Sequence, residues 1–352
     1  MPDIELRLGH DMLVLSAPVD ATLARQGIDA ARDRQYLNLM EPDAISDALK
    51  MEVVAGANCV VTTTEDITNA RLAHVRMDGD AARLAQAATR IANELKPQHV
   101  LAEIGPCGLP LDASSKASLN ENRAQYANAA RAFDGCDFDA FFLNGFASLP
   151  DLKCALMGVA QVSGKPIMAS VVLGEATPQA KPPVPLQAAT AEGALPDADA
   201  TLFSLAYEPI VGSVAPAVPV QDAYLDPDCW KQAIEEMEDL GAAVIGFETA
   251  EPLDRAIAYA QQAVRASRLP VLAQLRVGAV EDAAAVAAQN RMNKLIPLES
   301  RTDYAPDTMD RAAVKLYGAG VQFLRATGAA TPAFTGALAA TVSGLDVRER
   351  ND

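Results

Sequence analysis

Short, nearly unbroken apolar runs alternate with amphipathic stretches along most of this chain. Met12 to Ser16, Cys59 to Thr62, His99 to Ile104 and Asp139 to Leu143 read as the first four strands. Pro166 to Leu173, Gly241 to Phe247, Pro270 to Leu275 and Val321 to Leu324 read as the second four. Between them, Pro42 to Ala55, Asp80 to Leu95, Asn120 to Phe133, Leu149 to Val162, Cys229 to Leu240, Leu253 to Ser267 and Asp307 to Gly318 repeat apolar residues at helical spacing. Gly56 stops the first of these helices, Pro97 breaks the second, and Pro252 and Pro332 suit first helical turns. Strands apolar on both faces belong to a parallel sheet covered on both sides. Eight such units predict an α/β protein of the (β/α)8 TIM-barrel class. A doubly wound open sheet is the runner-up, but no GxGxxG follows any strand.

One stretch breaks the rhythm. Residues 174–227 are irregular and rich in Ala, Pro and Asp, which predicts a long insertion after strand five in a single domain spanning 1–352. A connection of this length is expected to be a lid over the barrel mouth or a partner-contact region. The composition limits the partners. A net charge of −17 over 352 residues argues against nucleic acid and anionic membrane surfaces. No apolar run approaches the ~20 residues that cross a bilayer, and the acidic N-terminus lacks a secretory h-region, so a cytoplasmic location is expected. Five cysteines without CxxC spacing indicate neither a disulfide framework nor a sequence-local zinc knuckle.

In barrels of this class the chemistry sits at the carboxyl ends of the strands. There the chain offers Glu65, Glu103, Asn144, Glu248, Thr249, Gln274, Arg276, Arg325 and Thr327. Glu103 lies inside an apolar strand, so its carboxylate needs a partner, and Arg325 or Arg276 can supply one. Glu248 reads equally as a ligand contact or a rim salt bridge. Asn144 offers a neutral donor and acceptor, suited to a ligand contact by hydrogen bonding. His10, His74 and His99 are too scattered for a metal site. Cys107, in the loop Gly105-Pro-Cys-Gly108, reads as a small residue in a tight turn, with a reactive thiol or a substituted metal ligand as the alternatives.

Several segments together resemble the homocysteine S-methyltransferase family of zinc-dependent barrels. They are Ala55-Gly-Ala-Asn-Cys-Val-Val-Thr-Thr-Thr64, Ile104-Gly-Pro-Cys-Gly108, Tyr304-Ala-Pro-Asp-Thr-Met309, Ala319-Gly-Val321 and Thr331-Pro332. The likeness runs from about Leu13 to Val342, apart from the insertion. It implies a site at the barrel mouth that binds a small-molecule methyl donor or acceptor. Among the strand-end residues, Asn144, Glu103 and Glu248 are the catalytic candidates and Glu65, Arg276, Arg325, Thr249 and Thr327 the substrate-binding ones. The metal positions depart from the family pattern. Thr249 stands where the family has a cysteine after strand six, and Thr327 and Gly328 stand at its cysteine pair after strand eight. Asn144 replaces the acidic residue that contacts homocysteine, and Ser16-Ala-Pro-Val-Asp-Ala21 replaces the first-strand signature with its aspartate. Threonine and glycine do not replace thiolates as zinc ligands. Zinc is therefore not expected, and methyl transfer by a zinc-independent route, with a corrinoid (cobalamin) protein as partner, is the expectation. A catalytically inactive barrel serving as a binding or regulatory subunit is the alternative.

Overall fold

The computed structural model describes residues 4–28, 36–174, 224–278 and 304–346. Its eight parallel strands are β1 (Leu13–Val14), β2 (Cys59–Val61), β3 (His99–Ile104), β4 (Ala140–Phe146), β5 (Ile167–Leu173), β6 (Val244–Thr249), β7 (Val271–Val277) and β8 (Phe323–Gly328). They form one sheet in the order β1-β8-β7-β6-β5-β4-β3-β2. The seam between β1 and β2 closes through a Leu15–Cys59 bridge. Asn58 and Ser16 reinforce it, Asn58 Oδ1 accepting from Val14 N and Ser16 Oγ from Val61 N. The fold is a (β/α)8 barrel.

The helices wrapped around it are α1 (Asp20–Arg25), α2 (Pro42–Ala55), α3 (Asn69–His74), α4 (Ala81–Glu94), α5 (Lys116–Arg131), α6 (Leu149–Ala160), α7 (Trp230–Asp239), α8 (Leu253–Ala266), α9 (Pro306–Gly318) and α10 (Pro332–Val342). α5 starts four residues before the expected Asn120, because the Ser115 side chain caps it by accepting from Ser118 N. The short helices α1 and α3 carry too few turns to show a periodic pattern. No helix among the described residues is long and apolar enough to cross a membrane.

Two hydrophobic clusters result from the alternation of side chains along each strand. The outer one joins sheet to helices and holds, for example, Ile245, Phe247, Leu275, Leu324 and Trp230. The inner one fills the barrel with Leu13, Leu15, Val61, Leu101, Phe142, Met168, Val244, Leu272 and Phe323, and Ile4 packs on it. β4, β6, β7 and β8 each continue two or more residues beyond the predicted strand ends. Sequence reading stopped where polar residues begin, but inside a barrel the ladder persists while the inward side chains turn polar. The expected insertion at 174–227 lies mostly outside the described residues. Its two described ends meet, with Leu225 N donating to Val172 O at 2.7 Å.

The amino-terminal end is sealed by a separate device. Buried Gln322 donates to Arg7 O and Asp11 O at 2.8 Å each and accepts from Gly9 N at 2.8 Å. His99 is also buried here, 3.6 Å from Asp139 Oδ1. Replacing Gln322 with alanine leaves three backbone groups without their partner. The Gln322→Ala variant is expected to lose about 2–4 kcal/mol of stability in urea titrations. A loss within ~0.5 kcal/mol would show that the amino-terminal segment is not held by this residue.

Candidate functional site

Alternation along the strands turns Glu103, Asn144, Ser170, Gln274 and Arg325 inward, one step above the apolar inner cluster. All five are buried. Arg325 Nη1 donates to Glu103 Oε1 at 3.4 Å and to Gln274 Oε1 at 3.2 Å. Gln274 Nε2 donates to Asn144 Oδ1 and to Ser170 Oγ, each at 2.8 Å. Asn144 Nδ2 donates to Glu103 Oε1 at 2.9 Å, which closes a ring of four side chains. Arg325 Nε donates to Ser16 O at 2.9 Å, and its guanidinium carbon lies 5.4 Å from the Phe142 ring centroid. The partner that Glu103 requires is therefore Arg325. A bulge between Leu143 and Phe146 keeps Asn144 facing inward while Phe146 packs outward against Tyr126.

A second cluster lies one layer higher, at the mouth. Glu248 Oε1 accepts from Arg276 Nε at 2.6 Å and from Thr327 Oγ1 at 2.9 Å. Glu248 pushes the Arg276 pKa further up, so the guanidinium stays charged. Glu65 reaches the same region from the end of β2. Gly105 N donates to Glu65 O at 2.8 Å, and a Cβ at Gly105 would sit 2.6 Å from Glu65 Cγ. Only glycine lets the β3 end approach Glu65 this closely.

Thr249 lies apart from both clusters. It is fully buried on the outer face of β6, where its Oγ1 accepts from Glu251 N at 3.1 Å. The motif placed it beside Glu248 in sequence, and the two-residue period of the strand puts it on the opposite side.

The positions that the resemblance assigns to zinc do not fit the metal. Thr249 faces the helix layer, and the Thr327 hydroxyl is committed to Glu248. Gly328 has φ +68, and a Cβ there would lie 2.5 Å from Val277 O and 2.9 Å from Arg276 Cγ. A side chain at 328 collides with backbone and with the stem of Arg276. Among the described residues, no group of three or more His, Cys, Asp or Glu side chains is arranged to hold a metal ion. Cys107 belongs to none of this. It is buried, its thiol lies 3.0 Å from Asn122 Oδ1, and burial pushes its pKa up, away from the thiolate.

Sequence reasoning missed one buried carboxylate. Glu52 of α2 accepts from Ala17 N at 3.0 Å and from the Thr335 hydroxyl of α10. The signal was present: Ile45, Ala48, Leu49 and Glu52 form one buried stripe at positions i, i+3, i+4 and i+7. Glu52 holds the turn that carries Ser16, and Ser16 O holds Arg325. A groove of about 420 Å³ opens at the opposite, amino-terminal face, lined by Arg7, Asp11, Asn58 and Gln98. It contains none of the candidate site residues at the strand carboxyl ends, and barrel chemistry belongs to the carboxyl face.

A parallel eight-stranded barrel whose interior passes from apolar base to hydrogen-bonded ring to charged mouth defines a protein of the TIM-barrel class. The family model for homocysteine S-methyltransferase matches residues 13–197, more than half of the chain. The chain belongs to the homocysteine S-methyltransferase family. Among solved structures, the metallated form of the homocysteine methyltransferase MmuM from Escherichia coli is similar, with a TM-score of 0.63 at 13% identity. The comparison covers 94% of this chain and 96% of that one. The oxidized form of the same enzyme gives 0.63 at 14% identity and the apo form 0.58 at 12%, with the same coverage. At such identities the likeness is one of fold. No curated protein matches the chain.

Two expectations follow from this geometry. Gly328→Cys is expected to lose about 2 kcal/mol or more, since it adds a clash to a left-handed backbone. It should gain no zinc, as read by mass spectrometry of the purified variant; one zinc bound per chain at unchanged stability would contradict the steric account. Glu52 responds to pH. Burial raises its pKa above the usual carboxylate value, against hydrogen bonds from Thr335 and Ala17 that lower it. A raised native pKa gives stability that is full below the unfolded-state value and falls as pH rises through the native one. Glu52→Gln, which does not titrate, is therefore expected to gain on the parent protein in melts taken from pH 5 to pH 8. A difference that stays flat across that range would refute it.

Proposed function

We propose that this protein is a methyltransferase that acts on a small molecule in the barrel mouth by a route independent of thiolate-held zinc. The observation that carries the reading is the room at Gly328. It is closed by the Val277 carbonyl and the stem of Arg276, so no side chain fits where the family pattern calls for a cysteine. Asn144, Glu103 and Glu248 are the catalytic groups of this reading, acting by hydrogen bonding to the reacting molecule. Glu65, Arg276, Arg325 and Thr327 shape the substrate site, and Thr249 supports the β6 turn from behind. A thiol acceptor near pKa 8.5 is mostly protonated at neutral pH. Without a metal, the transfer favours an acceptor that is already a good nucleophile or a donor that is strongly activated. A methylated corrinoid protein is a donor of that kind, and a cytoplasmic setting accommodates such a partner.

A second reading has its own support. Every amide of the ring is engaged by a neighbour, which favours a rigid binding floor over a reactive one. On that reading the barrel is an inactive binding or regulatory subunit.

The deciding experiment measures zinc content of the tag-free protein and methyl transfer with and without a chelator. Donors should include a methylated sulfonium, a methylated ammonium and methylcobalamin, with homocysteine as one acceptor. The expected result is well below ~1 zinc per chain and turnover unchanged by chelation. Stoichiometric zinc with turnover lost on chelation would sink the zinc-independent route. No turnover with any pair, together with a stably co-purifying protein, would favour the inactive subunit.

A further inference from the structure

We infer that Tyr126 and Asp151 are positioning residues for the barrel mouth: they latch the Gly105–Gly108 loop from the helix layer, and the loop in turn holds the backbone at Glu65. The inference rests on the reading of the mouth as the ligand site, and neither residue is assigned a contact with the ligand.

The loop follows β3 and is tied from three directions. At the end of β2, Glu65 O accepts from Gly105 N at 2.8 Å. From α5, the Tyr126 hydroxyl accepts from Cys107 N at 2.9 Å, and it donates to Asp151 Oδ1 of α6 at 2.6 Å. From α3, Arg71 Nε donates to Pro106 O at 3.1 Å. Gly108, at φ +75, makes way for that arginine, since a Cβ there would lie 3.1 Å from its guanidinium carbon. The loop also borders the end of β4. A Cβ on Gly145, the neighbour of Asn144, would lie 3.8 Å from Pro106 Cδ and 3.9 Å from Glu65 Oε1. The Tyr126 ring packs on Phe146 of the same strand, with centroids 5.8 Å apart.

Packing alone does not call for this polar pair. Tyr126 and Cys107 are buried, and Asp151 is half-buried. Burial raises the Asp151 pKa, against the Tyr126 hydroxyl and the Arg71 charge that lower it. A carboxylate placed here therefore carries a desolvation cost. Phenylalanine and leucine would fill the interface between α5 and α6 without it, but they offer no acceptor to the Cys107 amide. A tyrosine hydroxyl donates one proton and accepts through its lone pairs. With the proton committed to Asp151, the lone pairs face the loop, so Asp151 sets the direction in which Tyr126 accepts. The competing account is a local bond that satisfies one buried amide and transmits nothing to Glu65.

The test uses the full chain and amide exchange resolved to single residues by mass spectrometry with electron-transfer fragmentation. Tyr126→Phe keeps the ring and removes the acceptor. It is expected to speed exchange at Cys107 and also at Gly105 by about tenfold or more, with amides of β6 and β7 unchanged. Asp151→Leu should speed both by about threefold or more. Asp151→Asn keeps an acceptor for the tyrosine hydroxyl and should leave both near the parent rates. Faster exchange at Cys107 alone would overturn the inference, because the bond would then be local. Equal acceleration throughout the barrel, unchanged rates at both amides, or Asp151→Asn exchanging as fast as Asp151→Leu would overturn it too. If Tyr126→Phe does not fold, the two Asp151 variants carry the test. Titration of the same samples with L-homocysteine separates the inference from the reading beneath it. Binding that weakens about threefold or more in Tyr126→Phe supports the link to the mouth, and unchanged binding despite faster exchange at Gly105 overturns it. A parent protein that binds no homocysteine counts against the reading of the mouth, and exchange at Gly105 then decides whether the latch holds the Glu65 backbone.

Discussion

A guanidinium inside a barrel has no water to solvate it, so an opposite charge and a full set of acceptors must come from the surrounding strands. Arg325 imposes that demand here, and much of the interior is arranged to meet it. Its Nε reaches a carbonyl just past β1, and its Nη1 reaches β3 and β7. Glu103 and Gln274 in turn engage Asn144 of β4, and Gln274 engages Ser170 of β5. Removing Asn144 or Gln274 leaves partners of the ring exposed to a low-dielectric interior. The ring therefore acts as one unit, in which single deletions are expected to be non-additive.

The mouth above it follows a different logic. Glu248, Arg276 and Thr327 form an ion pair with one supporting hydroxyl, open to solvent on the arginine side. The departure from the family's metal pattern is a linked set of choices when viewed in space. Arg276 needs room for its stem, Gly328 provides it, and the backbone at Gly328 then excludes any side chain. Thr327 keeps a hydroxyl that satisfies Glu248. Restoring a single cysteine does not recover a thiolate site, because the Val277 backbone and the stem of Arg276 already occupy the space.

The barrel was legible in the sequence because each strand is apolar on both faces and each helix has a clear stripe. Pairing Glu103 with an arginine was legible too, since an acid in an apolar strand demands a partner. Choosing Arg325 over Arg276 was not, because that depends on which layer of the barrel each arginine occupies. Strand ends were drawn short wherever Asn144, Glu248, Arg276 or Arg325 interrupts the apolar run, although the ladder continues through all of them. Thr249 was grouped with Glu248 by motif, and strand parity separates them. Glu52 went unnoticed because a glutamate in a helix is usually solvated. Its place on the stripe of Ile45, Ala48 and Leu49 was the sign that it is not.

Glu52 also shows how far the polar interior extends beyond the barrel wall. It sits on α2, outside the sheet, yet it binds the backbone at Ala17 and the hydroxyl of Thr335 on α10. The neighbouring carbonyl of Ser16 is the acceptor for Arg325 Nε, and Arg325 lowers the energy of the Glu52 carboxylate through its charge. The chain of contacts runs from two outer helices through the end of β1 to the ring and on to Asn144. Such a path couples the packing of α2 and α10 to the orientation of the groups that floor the mouth. The opposite end of the barrel is arranged differently. Gln322 binds only backbone groups of the amino-terminal segment, so its hydrogen bonds serve closure of the base. Closure of the base at one end and the buried ring at the other are thus carried by separate polar networks within a single sheet.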